Sequence, residues 1–498
     1  MIKNIWFYNL TAFVSGLAIM AVEMTATRMM SPYFGTSIFI WTNVIGIIMA
    51  ALALGYWLGG KIADRYPNPK VFYTLVVIAS LVVLILPFAG PEILKNISRL
   101  IIVDAEALIA SSLLGTVILF LPPFLLLGLI SPYLVRLINR TVEKTGHTAG
   151  NVFAMSTIGS LAGTFLPTFV TVPLIGVKRT IIVFGAALCL MGAIGLGRKA
   201  TYALLPIFAA ALFFSSPFLL AGEQIIAQTE SPYSYIEVSQ SEDGIRYLAF
   251  SEAYAVQSRF DPDDVLNEGL YWDYYAILPA LYADHNLAVA IIGNAGGTIP
   301  RLLNKFYPEL EIDGVELDPA VSKIAQENFA PFPAAVSLHH TDGRVFLQQA
   351  QPGYQLIILD AYKEIAIPAH LSSQEFFQLV KSRLTPDGLV AFNINTTGTD
   401  SEVYQRLIAT LQKTYRNVYD LKIPGAYNRL IVATDRPTAL TDDLQVAERQ
   451  PGLGKYFDYA ISQTQTPEPL AARVITDDQP LTEITYDTMI LQELMKIK

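Results

Sequence analysis

The first 221 residues alternate between long apolar stretches and short polar loops. Seven stretches approach or exceed the length that an α-helix needs to cross about 30 Å of hydrocarbon. They lie at roughly 5–30, 38–60, 71–89, 107–130, 149–173, 177–197 and 201–221. The first stretch is too long to be a cleaved signal peptide. The pattern therefore predicts a transmembrane helical bundle of about seven helices over 1–221.

After residue 221 the apolar segments become shorter. Residues 235–238 and 246–250, joined by a turn at 242–244, predict a β-hairpin in a small leading β-region over 222–286. Over 287–498 strand and helix patterns alternate, which indicates an α/β Rossmann-like domain with a parallel sheet. We expect strands near 287–293, 311–316, 335–340, 355–361, 388–394, 416–423 and 429–434. We expect helices near 298–306, 319–328, 343–350, 372–384 and 401–414.

Composition supports this division into two parts. Hydrophobic residues make up 52% of the 498 residues and charged residues only 15%, which is unlike an ordinary soluble protein. Residues 1–221 carry a net charge of +8 and the remainder carries −17. An acidic second part argues against a nucleic-acid surface, since phosphates are neutralised by clustered Lys and Arg.

Cysteine and histidine are too scarce for several kinds of site. The chain has one cysteine, Cys189, and five histidines. One cysteine excludes a disulfide framework within the chain and a cysteine-based metal cluster. We therefore expect no metal.

Acidic and glycine-rich segments follow four predicted strands. The first strand runs into a glycine-rich turn at Gly293–Gly297, and the second ends at Glu316 about twenty residues later. This spacing is typical of a nucleoside site in which the acid accepts from ribose hydroxyls, with a purely structural turn as the alternative. The third strand ends at Asp342, which could accept from an adenine amino group, and the fourth at Asp360. The carboxyl ends of parallel strands meet at one edge, which we call the rim.

These residues resemble a known family. The glycine-rich turn, Glu316, Asp342-Gly343 and Asp360, preceded by a β-region and by Gln257 to Tyr271-Trp272-Asp273, look like the spermidine synthases, the polyamine aminopropyltransferases. Further similar segments are Ile367-Pro368-Ala369-His370-Leu371 and Thr476-Asp477-Asp478-Gln479-Pro480. The apolar first part is similar to the membrane-fused branch of that family.

The resemblance implies alkyl transfer from a sulfonium. Members transfer an aminopropyl group from decarboxylated S-adenosylmethionine to an amine and release methylthioadenosine. Asp360 matches the family's catalytic carboxylate. Glu316 and Asp342 match the ribose- and adenine-binding acids, and the residues expected at the donor site are Gly293, Asn294, Gly296, Gly297, Glu316, Asp342 and Gly343. The expected substrate-binding residues are Gln257, Tyr271, Asp273, Tyr362, Lys363, Asp477 and Asp478.

Four positions depart from the family pattern. Gly296 stands where spermidine synthases carry an Asp that binds the aminopropyl nitrogen of the donor, and Ser234 and Trp272 stand where they carry glutamines. The fourth position is Lys363. Lys363 stands where spermidine synthases carry the acid that holds the far amine of putrescine. A lysine there would repel a diamine, so we expect a non-standard acceptor, either an amine or an amino-acid-like molecule. If the Lys363 ammonium faces the site, it could instead pair with the carboxylate of intact S-adenosylmethionine. A solvated loop lysine is the alternative interpretation.

Two other functions remain open at this point. The same pocket could serve methyl transfer, or a lyase reaction on intact S-adenosylmethionine. The chain could also be a non-catalytic nucleoside-binding sensor or transporter. Glu23, a carboxylate inside the first apolar stretch with Arg28 as its expected partner, supports this last interpretation because ionisable groups in a membrane are costly.

Localisation and partners follow from the apolar half. We expect an integral protein of the bacterial inner (cell) membrane, in contact with the lipid bilayer. The loop charges favour an internal N-terminus, which with seven crossings would place the second domain outside. A cytosolic nucleoside donor requires the cytoplasmic side, and we give this chemical argument more weight. The apolar residues 329–333 are a candidate contact with a second subunit of a homo-oligomer or with the bilayer, and the alternative is that they cover the sheet.

Overall fold

The computed structural model contains two compact units. It describes residues 5–34, 38–98, 105–139, 145–197, 200–201, 224–231, 233–250, 256–284, 286–329, 332–333, 336–362, 367–479 and 481. The first unit comprises 1–221 with 230–232, and the second comprises 222–229 with 233–498. The leading β-region and the Rossmann-like domain thus lie in one compact unit.

The described part of the first unit is helical. Its helices are α1 (Ile5–Phe34), α2 (Ile38–Arg65), α3 (Pro69–Ser98), α4 (Ala105–Gly128), α5 (Ile130–Ile138), α6 (Thr145–Leu166) and α7 (Val172–Leu196). Within the described residues, five stretches are long and apolar enough to cross a membrane, which fits the predicted bundle. The seventh predicted helix, 201–221, lies almost entirely outside the described residues.

The last of these five stretches contains a break. Thr145–Leu196 has 52 residues, about 78 Å at 1.5 Å per residue and far more than one crossing needs. A π-helical turn at Pro167–Thr171 is followed by Gly176, whose φ of 79° is not helical. Gly176 lies between the predicted segments 149–173 and 177–197, whereas the π-helical turn lies near the end of the first of them.

Close helix contacts in this unit depend on glycine. A Cβ added to Gly159 of α6 would lie 2.0 Å from the Phe13 carbonyl oxygen of α1. A Cβ on Gly55 of α2 would lie 2.4 Å from the Leu125 carbonyl oxygen of α4. Small residues let helix backbones approach where lipid supplies no hydrophobic drive.

Two ionisable residues of α1 differ in their surroundings. Glu23 lies half-buried within the helix. The Arg28 guanidinium donates to the Ser231 carbonyl oxygen over 2.8 Å. The Glu230 carboxylate next to Ser231 accepts from the Val177 backbone N–H at 2.8 Å.

The second unit begins with an antiparallel four-stranded sheet in sequential order. Its strands are β1 (Gln224–Glu230), β2 (Tyr235–Gln240), β3 (Arg246–Phe250) and β4 (Val256–Phe260). Strands β2 and β3 form the predicted hairpin. Phe329 is fully buried with Ile236, Val238 and Leu248 of this sheet. Because Phe329 covers the sheet, it is not an exposed contact residue within 329–333.

A seven-stranded sheet follows in the order β10-β11-β9-β8-β5-β6-β7. The strands are β5 (Ala288–Ile292), β6 (Glu311–Glu316), β7 (Val336–His340), β8 (Tyr354–Leu359), β9 (Leu384–Asn395), β10 (Asn417–Lys422) and β11 (Asn428–Thr434). The helices are α8 (Thr298–Phe306), α9 (Pro319–Asn328), α10 (Gly343–Gln349), α11 (Gln374–Arg383), α12 (Glu402–Thr414), α13 (Leu440–Val446) and α14 (Gly454–Gln463). The predicted α/β Rossmann-like fold is confirmed.

Alternate residues of the central strands enter two core layers. Val289 and Ile291 of β5 belong to one layer, and Ala290 and Ile292 belong to the other. Such strands are buried on both faces, which explains their nearly continuous apolar sequences. Strands β5 to β9 are parallel, so their carboxyl ends meet at one edge and form the rim.

Candidate functional site

Asp360 follows β8 at the rim. Its Oδ2 accepts from the Tyr271 hydroxyl at 3.0 Å, and its Oδ1 accepts from Asn393 Nδ2 at 3.1 Å. Burial among the surrounding groups raises the pKa of Asp360 to about 7, although the donors Asn393, Tyr271 and Trp272 act in the opposite direction. A carboxyl group with such a pKa can change protonation state near neutral pH.

Tyr271 lies on the 3-10 helix Tyr271–Ile277. Its ring packs on Trp272 at 4.8 Å between centroids and meets Tyr275 edge-on at 6.2 Å. Burial, followed by the negative charge of Asp360, raises the pKa of Tyr271 well above its usual value. Tyr271 is therefore a neutral phenol whose hydroxyl group donates a hydrogen bond to Asp360.

Glu316 closes the glycine-rich turn against β6. It is 8% exposed, and its carboxylate accepts from the Ala295 N–H at 2.9 Å and from the Asp318 N–H at 3.1 Å. Burial raises the pKa of Glu316 to about 7, while the accepted backbone hydrogen bonds act to lower it. The Leu317 backbone N–H is a third donor to this carboxylate. A carboxylate has about four acceptor positions, so capacity remains for a further hydroxyl group.

The turn itself requires glycine for protein packing. Gly293 has a φ of 96°, and an added Cβ would lie 2.4 Å from the Asp360 carbonyl oxygen. Gly297 has a φ of 79°, and its Cβ would meet the Phe332 ring at 2.5 Å. Gly296 donates its N–H to Ser258 Oγ of β4 at 2.7 Å. The buried Asn294 side-chain oxygen has no hydrogen-bond partner among the described residues.

Asp342 follows β7 and caps α10. Its Oδ1 accepts from the backbone N–H groups of Arg344 and Val345 at 2.9 and 3.1 Å. Its Oδ2 lies 2.7 Å from His370 Nε2. Helix α10 also packs closely on β5, because a Cβ on Gly343 would lie 2.2 Å from Ile292.

Asp477, the first of the two adjacent acids Asp477 and Asp478, is bound by Arg344, which follows Asp342 closely in the chain. The Arg344 guanidinium donates to both oxygens of Asp477, at 2.8 and 2.7 Å, and to the His370 carbonyl oxygen at 3.2 Å. The hydrogen bond from Arg344 is the largest cause that holds the pKa of Asp477 below its usual value. Asp478 is exposed to solvent.

Asp273 is completely buried and has no room for a substrate. Its Oδ1 accepts from the Asn267 N–H at 2.7 Å and from Asn267 Nδ2 at 3.1 Å. Its Oδ2 accepts from the Gly269 N–H and from the Tyr456 hydroxyl, both at 2.8 Å. Four donors saturate the carboxylate, so we assign Asp273 a structural role.

The expected substrate residues are distributed unevenly. Tyr271 and Tyr362 lie beside Asp360, and the Tyr362 hydroxyl donates to the Asn393 carbonyl oxygen at 2.5 Å. Gln257 is half-buried on β4, next to the Ser258 that contacts the turn. Lys363 lies outside the described residues.

Several contact residues were not identified from the sequence. Asn393 holds Asp360, His370 holds Asp342, and Ser258 supports the glycine-rich turn. Asn393 comes at the end of a predicted strand that borders β8. That position was a signal that could have identified it. Among the described residues, the structure contains no group of three or more His, Cys, Asp or Glu that could hold a metal ion.

Comparisons with known proteins match this architecture. Residues 269–439 match the spermine/spermidine synthase domain. A "Polyamine aminopropyltransferase" of Vibrio vulnificus is 32% identical over 238 residues, which cover 46% of this chain and 77% of that protein. A "Probable polyamine aminopropyl transferase" of Bifidobacterium longum is 33% identical over 207 residues, covering 41% of this chain but only 46% of that protein.

A further relative aligns with both units. The "Polyamine aminopropyltransferase 2" of Aquifex aeolicus is 23% identical over 441 residues, or 83% of this chain and 84% of that protein. The predicted resemblance is thereby confirmed. The chain belongs to the spermine/spermidine synthase family, the polyamine aminopropyltransferases.

Proposed function

We propose that this protein is a membrane-anchored transferase that moves an aminopropyl or related alkyl group from an S-adenosylmethionine-type sulfonium to an amine. The observation that carries the proposal is Asp360, a carboxyl group with a pKa near 7 at the rim of a family fold. A group poised near neutral pH can accept the proton of an attacking amine.

The adenosine half of the donor fits the acids along the rim. The Glu316 carboxylate would accept from the ribose hydroxyls of the donor, beside the turn that follows β5. Asp342 Oδ2 has a single described partner, His370, and so can accept an adenine amino group as well. The turn Gly293, Asn294, Gly296 and Gly297, with Gly343, would border the nucleoside.

The proposed reaction is a displacement at the carbon beside sulfur. The acceptor nitrogen attacks with its lone pair, a carbon–nitrogen bond forms, and the carbon–sulfur bond breaks. The bonding pair stays on sulfur and turns the sulfonium into the neutral thioether of methylthioadenosine. The nitrogen proton passes to Asp360, while Tyr271 and Asn393 hold the carboxylate in place.

For the acceptor we propose a non-standard amine or an amino-acid-like molecule. The basis is Lys363, a cation where the family pattern has an acid that binds a diamine. Calorimetric binding of intact and decarboxylated S-adenosylmethionine to wild type and Lys363→Ala tests its role. If the ammonium faces the site, wild type prefers the carboxylated donor and the variant does not. Equal preference in both proteins would remove Lys363 from the site.

We propose that the family domain faces the cytoplasm of a bacterial cell, because nucleoside donors are made there. The native Cys189 is buried, so an added surface cysteine can be labelled selectively. Val446 is 85% exposed. A membrane-impermeant maleimide should label Val446→Cys only after the inner membrane is opened. Full labelling of intact spheroplasts would contradict the cytoplasmic placement.

Product analysis tests the reaction itself. Full-length protein in detergent is incubated with either donor and a panel of diamines, polyamines and amino acids, and nucleosides are separated by liquid chromatography. We expect methylthioadenosine that depends on the acceptor. Acceptor-dependent S-adenosylhomocysteine would instead identify a methyltransferase, and methylthioadenosine from intact donor without acceptor would identify a lyase. No turnover with tight nucleoside binding would favour the sensor or transporter alternative.

A further inference from the structure

Asn393 is the partner of Asp360 with the least solvent contact. It is 2% exposed and lies near the carboxyl end of β9, the strand that neighbours β8 in the parallel part of the sheet. Its Nδ2 reaches Asp360 Oδ1 at 3.1 Å. A side chain at this depth has few rotamers available, so its amide orientation depends on its other contacts.

Those other contacts determine which end of the amide faces Asp360. Oxygen and nitrogen of an amide are nearly equal in size, and only the hydrogen-bond network distinguishes the two orientations. Asn428 Nδ2 donates to Asn393 Oδ1 at 3.0 Å. Because Asn393 Oδ1 accepts from Asn428, Asn393 Nδ2 is the amide atom that faces the Asp360 carboxylate.

Asn428 is placed for this role by strand pairing. It is the first residue of β11, which runs antiparallel to β9, and it pairs with Asn395 in the register. Asn393 is two residues before Asn395, so the two asparagine side chains meet diagonally across neighbouring strands. Asn393 and Asn428 together are called the amide pair below.

We propose that the amide pair is a positioning device that always presents an N–H group, and never a carbonyl oxygen, to the Asp360 carboxylate. This inference rests on the proposed function, in which ionised Asp360 accepts a proton from the acceptor nitrogen. A reversed Asn393 amide would place its oxygen against Asp360 and favour the protonated acid, which cannot act as a base. Asn428 prevents that reversal without touching Asp360.

The other donors to Asp360 also favour its ionised form, but neither of them fixes the orientation of the Asn393 amide. They are the Tyr271 hydroxyl and the Trp272 indole, and the charge of Asp360 also acts on the Tyr275 phenol. Burial raises the pKa values of Tyr271 and Tyr275 well above their usual value. Both therefore stay neutral over the working pH range, and no cation acts on Asp360 from these residues.

Two substitutions separate the members of the pair. Asn393→Leu keeps a similar volume but removes the donor, so the pKa of Asp360 should rise by about one unit. At pH 7 kcat/KM should fall about fivefold, because the ionised fraction of Asp360 falls by that factor, and the rate should recover as the pH is raised. Asn428→Ala should shift the same pH profile in the same direction by a smaller amount, because it only frees the Asn393 amide to reverse.

The double variant tests whether Asn428 acts through Asn393. If it does, Asn393→Leu with Asn428→Ala should be no worse than Asn393→Leu alone. Asn417→Ala is the matched control. Asn417 lies at the end of β10 that is remote from Asn428, and its Nδ2 donates to the Arg436 carbonyl oxygen. This control removes an asparagine side chain and its hydrogen bond but should leave the pH profile unchanged.

A direct titration keeps the inference independent of turnover. Infrared difference spectra of full-length protein, with Asp360→Asn as the blank, follow the protonated carboxyl band of Asp360 against pH. We expect the midpoint to move up in Asn393→Leu and less in Asn428→Ala. Unchanged midpoints in both variants, or additive losses in the double variant, would overturn the inference. If the midpoints move but no substrate turns over, the amide pair stands and the proposed reaction fails.

Discussion

Asp273 and Asp360 lie in regions that differ in how far they enclose the aspartate and in how many hydrogen bonds they donate to it. Asp273 is completely enclosed by its own loop and by Tyr456, and it receives four hydrogen bonds. Asp360 is partly exposed at the rim and accepts hydrogen bonds from Tyr271 and Asn393, with Trp272 as a further donor. Burial raises the pKa of Asp360 to about 7.

The contrast shows what separates a structural carboxylate from a reactive one. Four donors compensate Asp273 for its lost hydration, and no acceptor site remains for a ligand. Asp360 is compensated only in part, so its charged form stays costly and a proton is readily exchanged. Asp273 therefore differs from Asp360 both in its complete enclosure and in its larger number of fixed donors.

The largest expected effect is on turnover. Asp360→Asn keeps the shape of the side chain but cannot accept a proton, so kcat should fall by about 10²–10⁴-fold. Affinity for the donor should change little, because Asp360 acts on the acceptor nitrogen. Methylthioadenosine release gives the rate and calorimetry gives the affinity. Turnover within threefold of wild type would place the base elsewhere.

The next effect is on stability. Asp273→Asn places an amide N–H against donors such as Gly269 or Tyr456, so one buried donor loses its acceptor. We expect a loss of about 1–3 kcal/mol in the free energy of unfolding, seen as a lower melting temperature. The folded protein should retain its kcat within about twofold.

Asp263→Asn provides the matched control in the same loop. Asp263 is exposed, and the same chemical change there should leave the melting temperature unaltered. An Asp273→Asn variant that melts like wild type but loses turnover would reverse the assignment of the two aspartates.

A smaller effect is expected at Glu316. Its pKa of about 7 means that it becomes ionised as the pH rises through neutrality, and the ionised form accepts more strongly from ribose hydroxyls. Donor affinity of wild type should therefore increase with pH across this range. Glu316→Gln should weaken binding about tenfold at pH 8 and abolish that pH dependence.

Glu311→Gln is the control on the same strand. Glu311 is exposed at the opposite end of β6, so the donor affinity of this variant should match that of wild type. A Glu316→Gln variant with unaltered, still pH-dependent affinity would exclude Glu316 from the donor site.

Most of the fold could be predicted from the sequence. Buried parallel strands appear as short apolar runs, and the strands predicted near 311–316 and 335–340 match β6 and β7 closely. The acids at strand ends were also visible, because Glu316, Asp342 and Asp360 each follow such a run. Alternation of strands and helices then places them at one rim.

The roles of individual polar residues could not be predicted in the same way. Asp273 and Asp360 both follow aromatic or apolar residues, and only the chain fold reveals that Tyr456 reaches one of them from 183 positions away. Asn393 and Asn428 carry no charge pattern, and their contact depends on the register of β9 and β11. Hydrogen bonds between distant residues leave no periodic signal in the sequence.

The most direct test of the role of Asp360 is the pH dependence of wild-type kcat/KM, measured at a constant concentration of unprotonated acceptor. A buried base with a pKa near 7 predicts a tenfold rise per pH unit below neutrality and a plateau above it. The Glu316→Gln variant lacks the other carboxyl group with a pKa near 7, and its kcat/KM should show the same rise with pH below neutrality. A rate that stays flat down to pH 5, or a limb near pH 4, would contradict the assignment of Asp360 as the proton acceptor.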